Sequence, residues 1–270
     1  MLINLHSGIP KSSQALMWAI FFQSRSRGVS LACHFPWIND NENVYCITIE
    51  DSIGSNTNKT VATLALKHAK TMDGQSYGML GLVCVHEKFR RNGLTSLMIE
   101  RAIQMAVDLN WTALVLWTQK PKVYEGHGFV IDGQELFANV LNKSASITIE
   151  KFNSRFTLQD NNLLSLKGLP SFATGLELLE SDCATALLLK MESGFSVAEW
   201  SGDKNQVVDL LTKFMPKYWG INFIHGDELI EALMKKGLEL KLESTSTRMV
   251  RKLVHEGDYD FGRIRILDRI

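Results

Sequence analysis

The feature that most constrains this chain is residues 79–85, Met-Leu-Gly-Leu-Val-Cys-Val, followed at once by a polar, basic turn. A strand that is apolar at nearly every position must be covered on both faces. It belongs in the middle of a sheet with helices packed on either side, which is an α/β architecture. The residues that follow, His86-Glu87-Lys88-Phe89-Arg90-Arg91-Asn92-Gly93, cannot continue such a strand. After them Leu94, Leu97, Met98, Ala102, Met105 and Leu109 recur at i, i+3, i+4 spacing. That spacing predicts a helix burying those six side chains, with Glu100, Arg101, Gln104 and Asp108 outward and a stop at Asn110.

The same reasoning orders the rest of the chain. Upstream, a helix is expected over 14–22, started by a serine cap at Ser12-Ser13. Residues 25–39 read as irregular, 43–49 as a strand rich in β-branched residues, 51–58 as a turn and 60–66 as a second strand. Downstream come a strand over 112–117, a short turn or helix over 122–126, and Gly128-Phe129-Val130-Ile131. The second half repeats this order, with a strand at 195–200 and a helix at 203–214 that buries Val207, Leu210, Leu211 and Phe214. A strand at 221–224, a helix at 227–236 and a strand at 237–240 complete it. The repetition lies in element order more than in residue identity. The join falls in 153–180, where Gly168-Leu169-Pro170-Ser171 marks a break.

Bulk properties exclude several classes. The chain has 270 residues, 45% hydrophobic and 21% charged, which suits one large domain or two modest ones with a sizeable core. Formal net charge is zero, so the broad basic field of a nucleic-acid binder is absent and a phosphate ligand would need a local site. The N-terminus lacks the basic start and apolar run of a signal peptide, and the most apolar stretch, 15–22, is too short to cross a bilayer. The expectation is a cytoplasmic protein with no membrane and no nucleic-acid partner. Cys33, Cys46, Cys84 and Cys183 form no CxxC pair, which predicts reduced cysteines packed as small apolar residues and no metal. Asn58-Lys59-Thr60 and Asn142-Lys143-Ser144 fit the glycosylation sequon and are read as chance matches.

The turn between the central strand and its helix carries the chemistry. A helix N-terminus leaves backbone N–H groups unpaired and carries partial positive charge. A pyrophosphate can accept those N–H groups, Gly93 lets the backbone approach, Arg90 and Arg91 add charge, and the Thr95 hydroxyl adds a donor. Neither a Walker loop nor a G-x-G-x-x-G fingerprint is present. On the residues alone, a solvated basic turn remains the open alternative.

The surrounding residues resemble the GNAT superfamily of N-acetyltransferases, whose first motif runs V-x-P-x-[YF]-R-x-x-G-x-[GA]. Val85, Phe89, Arg90, Gly93 and Leu94 fall in register with it. The family's second signature, a tyrosine shortly before Gly-Phe, is matched by Tyr124-Glu125-Gly126-His127-Gly128-Phe129 at the family's spacing. Two departures stand out: Glu87 replaces the usual Pro, and Thr95 replaces a small Gly or Ala and crowds the loop. The resemblance implies a GNAT fold, a central mixed sheet flanked by helices, over residues 1–155. It implies a second GNAT-like half over 156–270, in which Ser201-Gly202-Asp203-Lys204 lacks R-x-x-G and sets an acidic residue where phosphate would sit. That half is expected to carry no cofactor.

The function implied is acetyl-CoA-dependent transfer of an acetyl group to a primary amine of a small molecule by direct attack, without a covalent enzyme intermediate. The resemblance assigns cofactor binding to Val83, Val85, Arg90, Arg91, Asn92, Gly93, Leu94 and Thr95. It assigns Tyr124 as the general acid that protonates the departing thiolate, a role a neutral phenol can fill. Many members carry a catalytic glutamate in register with Gly81, which has no side chain, so the general base stays open among water and His86, Glu50, Asp51, His34 and His68. His34, Phe35, Trp37 and Tyr45 suggest a mixed aromatic acceptor pocket. Two alternatives remain open: a non-catalytic CoA-binding or sensing module, and an acyltransferase that uses a different acyl donor.

Overall fold

The computed structural model describes residues 1–23, 30–51, 59–71, 73–145, 168–254, 261, 264 and 266–270. The expected turn at 51–58, apart from Asp51, and the segment 146–167 that contains the expected boundary at 155/156 lie outside them. Contacts group the chain into two compact units. One holds Met1–Asp132, Arg248–Ile264 and Arg269–Ile270, the other Gly133–Thr247 and Arg265–Asp268.

The first unit comprises β1 (Leu2–Ser7), α1 (Lys11–Phe21), α2 (Leu31–His34), β2 (Val44–Asp51), β3 (Lys59–Lys70), β4 (Ser76–Val85), α3 (Leu94–Asp108), β5 (Ala113–Thr118) and α4 (Lys122–Glu125). The next strand, β6 (Val130–Leu141), begins here. Strands β1 to β4 are antiparallel neighbours in sequence order, and β5 joins β4 in parallel. The apolar strands sit centrally as expected, with Val61, Ala62, Leu64, Ala65 and Leu66 of β3 all buried. On one face α3 packs Leu94, Met98, Ile99, Ala102 and Met105 onto Ile47, Leu64, Leu80 and Leu116. On the other, Leu16 and Met17 of α1 meet Val44, Cys46, Ala65 and Cys84.

Three local expectations are corrected. Leu97 and Leu109 are 50% and 41% exposed, and Ile99 and Ala106 take their places in the core of α3. The buried stripe of a 3.6-residue helix spans neighbours on both sides of its axis, so the spacing left its centre one position adrift. No serine caps α1: Pro10 precedes it, and the Ser12 hydroxyl accepts a hydrogen bond from Thr60 at 2.9 Å. Cys46 and Cys84 are buried, but Cys183 is exposed in a turn rather than packed.

The feature that positions the site is in β4. Thr63 pairs with Cys84 but Ala65 with Gly81, so β4 holds one residue more than β3 across this stretch. This is a β-bulge, with Leu82 at φ +48°. Pairing with β5 is limited to Tyr77, Gly78 and Met79, opposite Ala113, Leu114 and Val115. Beyond Met79 the two parallel strands no longer pair.

The second unit contains β7 (Gly175–Ser181), β8 (Ala184–Met191), β9 (Gly194–Gly202), α5 (Lys204–Phe214), β10 (Tyr218–Ile224), α6 (Glu228–Lys235) and the first part of β11 (Glu239–Lys252). The element order of β2 through β6 recurs as β7 through β11. Here too an antiparallel meander leads to a helix and a parallel strand, with Ser196 and Val197 of β9 opposite Gly220 and Ile221 of β10. Strand β10 pairs antiparallel with β6 from Tyr218–Leu141 to Ile224–Glu135. The core gathers Leu188, Phe195, Val197, Val207, Leu211, Phe223, Leu229 and Leu233. Val208 is buried in α5, where Phe214 is only half-buried. Strand β11 then returns to the first unit, where Met249 enters the core and the Leu253 N–H donates to the Thr112 carbonyl at 2.9 Å. Among the described residues no helix is long and apolar enough to cross a membrane.

Candidate functional site

The site grows from the end of β4. Glu87–Phe89 forms a single 3-10 turn, and His86 caps it by accepting the Lys88 N–H on Nδ1 at 3.4 Å. Arg90 is extended, and Arg91 and Gly93 both adopt left-handed backbone, at φ +67° and +71°. For a residue with a side chain that conformation costs roughly 1–2 kcal/mol, so the turn holds Arg91 in a shape it would not choose alone. Helix α3 begins at once, and its first recorded bond runs from the Leu97 N–H to the Gly93 carbonyl at 3.2 Å. Among the described residues the N–H groups of residues 91–96 have no protein acceptor.

Beside that stretch lies a cavity of about 250 Å³ lined by Val85, Phe89, Arg90, Arg91, Gly93, Leu94, Thr95 and Ser96. A Cβ built on Gly93 meets nothing within 4 Å, so the hollow is open at the glycine. Free N–H donors, a helix N-terminus and two arginines are what a polyanion needs, so the chemistry of the hollow suits a phosphate group. Arg90 also donates from Nε to the Val85 carbonyl at 3.2 Å, which ties the turn back to the strand.

Of the residues singled out by sequence, Val85, Arg90, Arg91, Gly93, Leu94 and Thr95 line this cavity; Val83, Asn92 and Tyr124 do not. Val83 lies at the β4 bulge, where the strand has parted from β5. Asn92 is exposed. Tyr124, on α4, packs edge-on against Phe129 with ring centroids 5.9 Å apart, and burial holds its phenol above the usual tyrosine range. Phe89 and Ser96 were not foreseen as lining residues, although Phe89 had been matched to the family motif.

The candidates for a base lie in varied settings. At Gly81 a Cβ would come 2.7 Å from the Ile270 carbonyl oxygen, so backbone of the first unit occupies the space a side chain would need. His34 stacks on Phe22 at 4.9 Å and on Trp18 at 6.2 Å, inside the core under α1. His68 pairs with Gly78 near the start of β4, at the opposite end from the bulge, and stacks on Trp111 at 5.4 Å. Glu50 and Asp51 end β2, beside Thr60 and Lys59. Burial pushes the Cys84 thiol up to about 12, which removes it as a nucleophile at neutral pH.

A larger cavity, about 1070 Å³, lies in the second unit between α5 and α6. Size does not make it the better anion site. Asp203 caps α5 through the Gln206 N–H at 3.0 Å, and Asp227 caps α6 through the Leu229 N–H at 3.0 Å, so each helix start already carries a carboxylate where an anion would have to sit. Its lysines are spent as well, with Lys204 on Glu228 at 2.7 Å and Lys236 on Asp209 at 2.6 Å.

Residues 13–129 match the model of the acetyltransferase (GNAT) family, a span that runs from α1 through the loop and Tyr124 to Phe129. No curated protein sequence matches the chain. Among solved structures, a GCN5-related N-acetyltransferase from Anabaena variabilis is similar with a TM-score of 0.61 and 12% identity, over 93% of this chain and 73% of that one. Another, from Kribbella flavida, gives a TM-score of 0.58 and 10% identity over 93% and 71%. Eis1 from Mycobacterium abscessus gives 0.60 and 8% over 93% and 73%. At such identities the likeness is one of fold, and it extends over nearly the whole chain.

Proposed function

We propose, on the premise that the chain belongs through residues 13–129 to the GNAT acetyltransferase family, that its first unit transfers an acetyl group from acetyl-CoA to the primary amine of a small molecule by direct attack. The observation that carries this reading is the cradle of unpaired N–H groups at residues 91–96, which opens beside a central strand that has parted from its neighbour. One feature can hold the phosphates and the other can admit the pantetheine arm.

In this reading the cofactor-binding residues are Val83, Val85, Arg90, Arg91, Asn92, Gly93, Leu94 and Thr95. The N–H groups and the two arginines hold the pyrophosphate. The freed edge of β4 around Val83 offers backbone groups to the pantetheine amides and polarises the thioester carbonyl. Tyr124 donates the proton that the sulfur takes as it leaves. Its raised pKa keeps that proton in place across the neutral range. Since Gly81 offers no carboxylate, the amine reaches the site already deprotonated or loses its proton to water. The second unit carries no cofactor, because its helix starts are capped by Asp203 and Asp227.

The test is release of free thiol from acetyl-CoA in the presence of a panel of small primary amines. Amine-dependent release is expected. If acetyl-CoA binds tightly but no amine accelerates release, the reading gives way to a CoA-binding module without turnover.

A further inference from the structure

The turn after α4 reaches back to the cofactor loop through one side chain. His127 Nε2 lies 3.2 Å from the Ser96 hydroxyl, and Ser96 belongs to the first turn of α3 and lines the anion cavity. The main chain that carries the imidazole is fixed by its own turn: the backbone N–H of His127 donates to the Tyr124 carbonyl at 2.9 Å, and that of Gly128 to the Glu125 carbonyl at 3.0 Å. From the other side the Arg251 guanidinium, on the part of β11 belonging to the first unit, donates to the His127 carbonyl.

We infer that His127 is a positioning residue for the cofactor, orienting the Ser96 hydroxyl so that its proton points into the cradle toward a phosphate oxygen. This rests on the loop being the acetyl-CoA site, as argued above. A serine hydroxyl has one proton and two acceptor positions. Within a helix it commonly spends the proton on the carbonyl four residues back, as Thr212 does on Val208 at 2.7 Å in α5. For Ser96 that carbonyl would be Asn92, and no such bond is made among the described residues. When His127 donates from Nε2, the Ser96 oxygen is used as an acceptor and its proton is left for the cavity. An imidazole that carried its proton only on Nδ1 would do the reverse and turn a lone pair toward the anion. The fold thus supplies a donor to the phosphates from outside the loop. Because the same turn carries Tyr124, cofactor seating and the proposed acid share one support.

The experiment compares wild type with Ser96→Ala, His127→Ala, the double variant and His127→Gln, measuring calorimetric affinity for acetyl-CoA and for S-acetylpantetheine, which has no phosphate. A hydrogen bond to a charged group is worth roughly ten- to a hundredfold in affinity. Each alanine variant is therefore expected to bind acetyl-CoA more weakly by roughly tenfold or more. The double variant should be no worse than Ser96→Ala, and His127→Gln, whose amide can donate, should recover most of the loss. S-acetylpantetheine affinity should stay unchanged throughout. A His127→Ala protein that binds acetyl-CoA normally, or loses both ligands alike, overturns the inference. Gly93→Asp separates the two claims: if it binds acetyl-CoA as wild type does, the loop itself was misread. If it fails to bind while His127→Ala is unaffected, only the role of His127 falls.

Discussion

Substituting Gly93 probes the proposed cofactor loop most directly, because the structure allows strain, bulk and charge to be separated there. A Cβ at this position meets no atom within 4 Å, so the first atom of a side chain there enters open space. The backbone stands at φ +71°, which asparagine and aspartate tolerate better than other side chains. Gly93→Asn should therefore cost about 1–2 kcal/mol of stability and weaken cofactor binding only by crowding the hollow. Gly93→Asp has nearly the same shape and adds a negative charge. A carboxylate about 5 Å from a phosphate charge repels it by about 0.8 kcal/mol at the dielectric of water, and by about 3 kcal/mol at an effective value near 20. Two phosphate charges at full water screening already give about 1.7 kcal/mol, roughly fifteenfold in affinity. The aspartate variant is thus expected to bind acetyl-CoA more than tenfold more weakly than the asparagine variant at low ionic strength, with the gap narrowing as salt is added. Isothermal calorimetry on both proteins measures this. Equal affinities for the two variants would mean that no phosphate lies over Gly93.

Four further outcomes follow from the same geometry. Tyr124→Phe keeps the ring against Phe129 and should lower kcat by roughly 10²–10⁴ while leaving acetyl-CoA affinity within a few-fold; unchanged kcat with lowered stability would make Tyr124 a packing residue. In wild type the rate should rise with deprotonation of the acceptor amine. Because the phenol's pKa is raised, its acid form is lost only above about pH 10; a rise centred on pH 4–5, where carboxylates titrate, would reveal a base assigned here to no residue. Titration should find one CoA per chain, since Asp203 and Asp227 cap the helix starts of the second unit; two equivalent sites would refute that. Gly81→Ala drives a methyl to 2.7 Å from the Ile270 carbonyl and should cost about 1–3 kcal/mol in a denaturant titration. An unchanged midpoint would mean that Ile270 does not pack there in solution.

Much of the site was legible because its signals are local. The apolar run at 79–85, the basic glycine turn and the 3.6-residue spacing after it each act within a few residues, and the strand, turn and helix appear where those signals set them. The bulge was not legible. It is a mismatch in count between β3 and β4, and no single strand carries that information. Ser96 and His127 stand 31 positions apart and meet only once the turn after α4 lies beside the first turn of α3. The early strand β1 and the pair β7 and β8 went unseen, and β6 and β11 run far beyond the four residues expected of each. In β11 the reason is plain: Glu-Leu-Lys-Leu-Glu-Ser-Thr-Ser-Thr is mostly polar and exposed, so the hydrophobic pattern that marks a buried strand is missing.

The passage of β11 back to the first unit also bears on how the protein is made. Met249 fills the core beneath α3, and the Leu253 N–H closes onto Thr112 at 2.9 Å, a contact between residues 141 positions apart. A ribosome adds roughly 5–20 residues per second, so β1 to β5 emerge many seconds before the strand that finishes their core. During that interval the flank of β5 is an uncovered apolar edge, a form prone to pairing with other nascent chains. Closing so long a loop also makes this a slow step in refolding from denaturant. The first unit completes itself only after nearly all of the second has been synthesised, so the half that bears the proposed chemistry is the last to become whole.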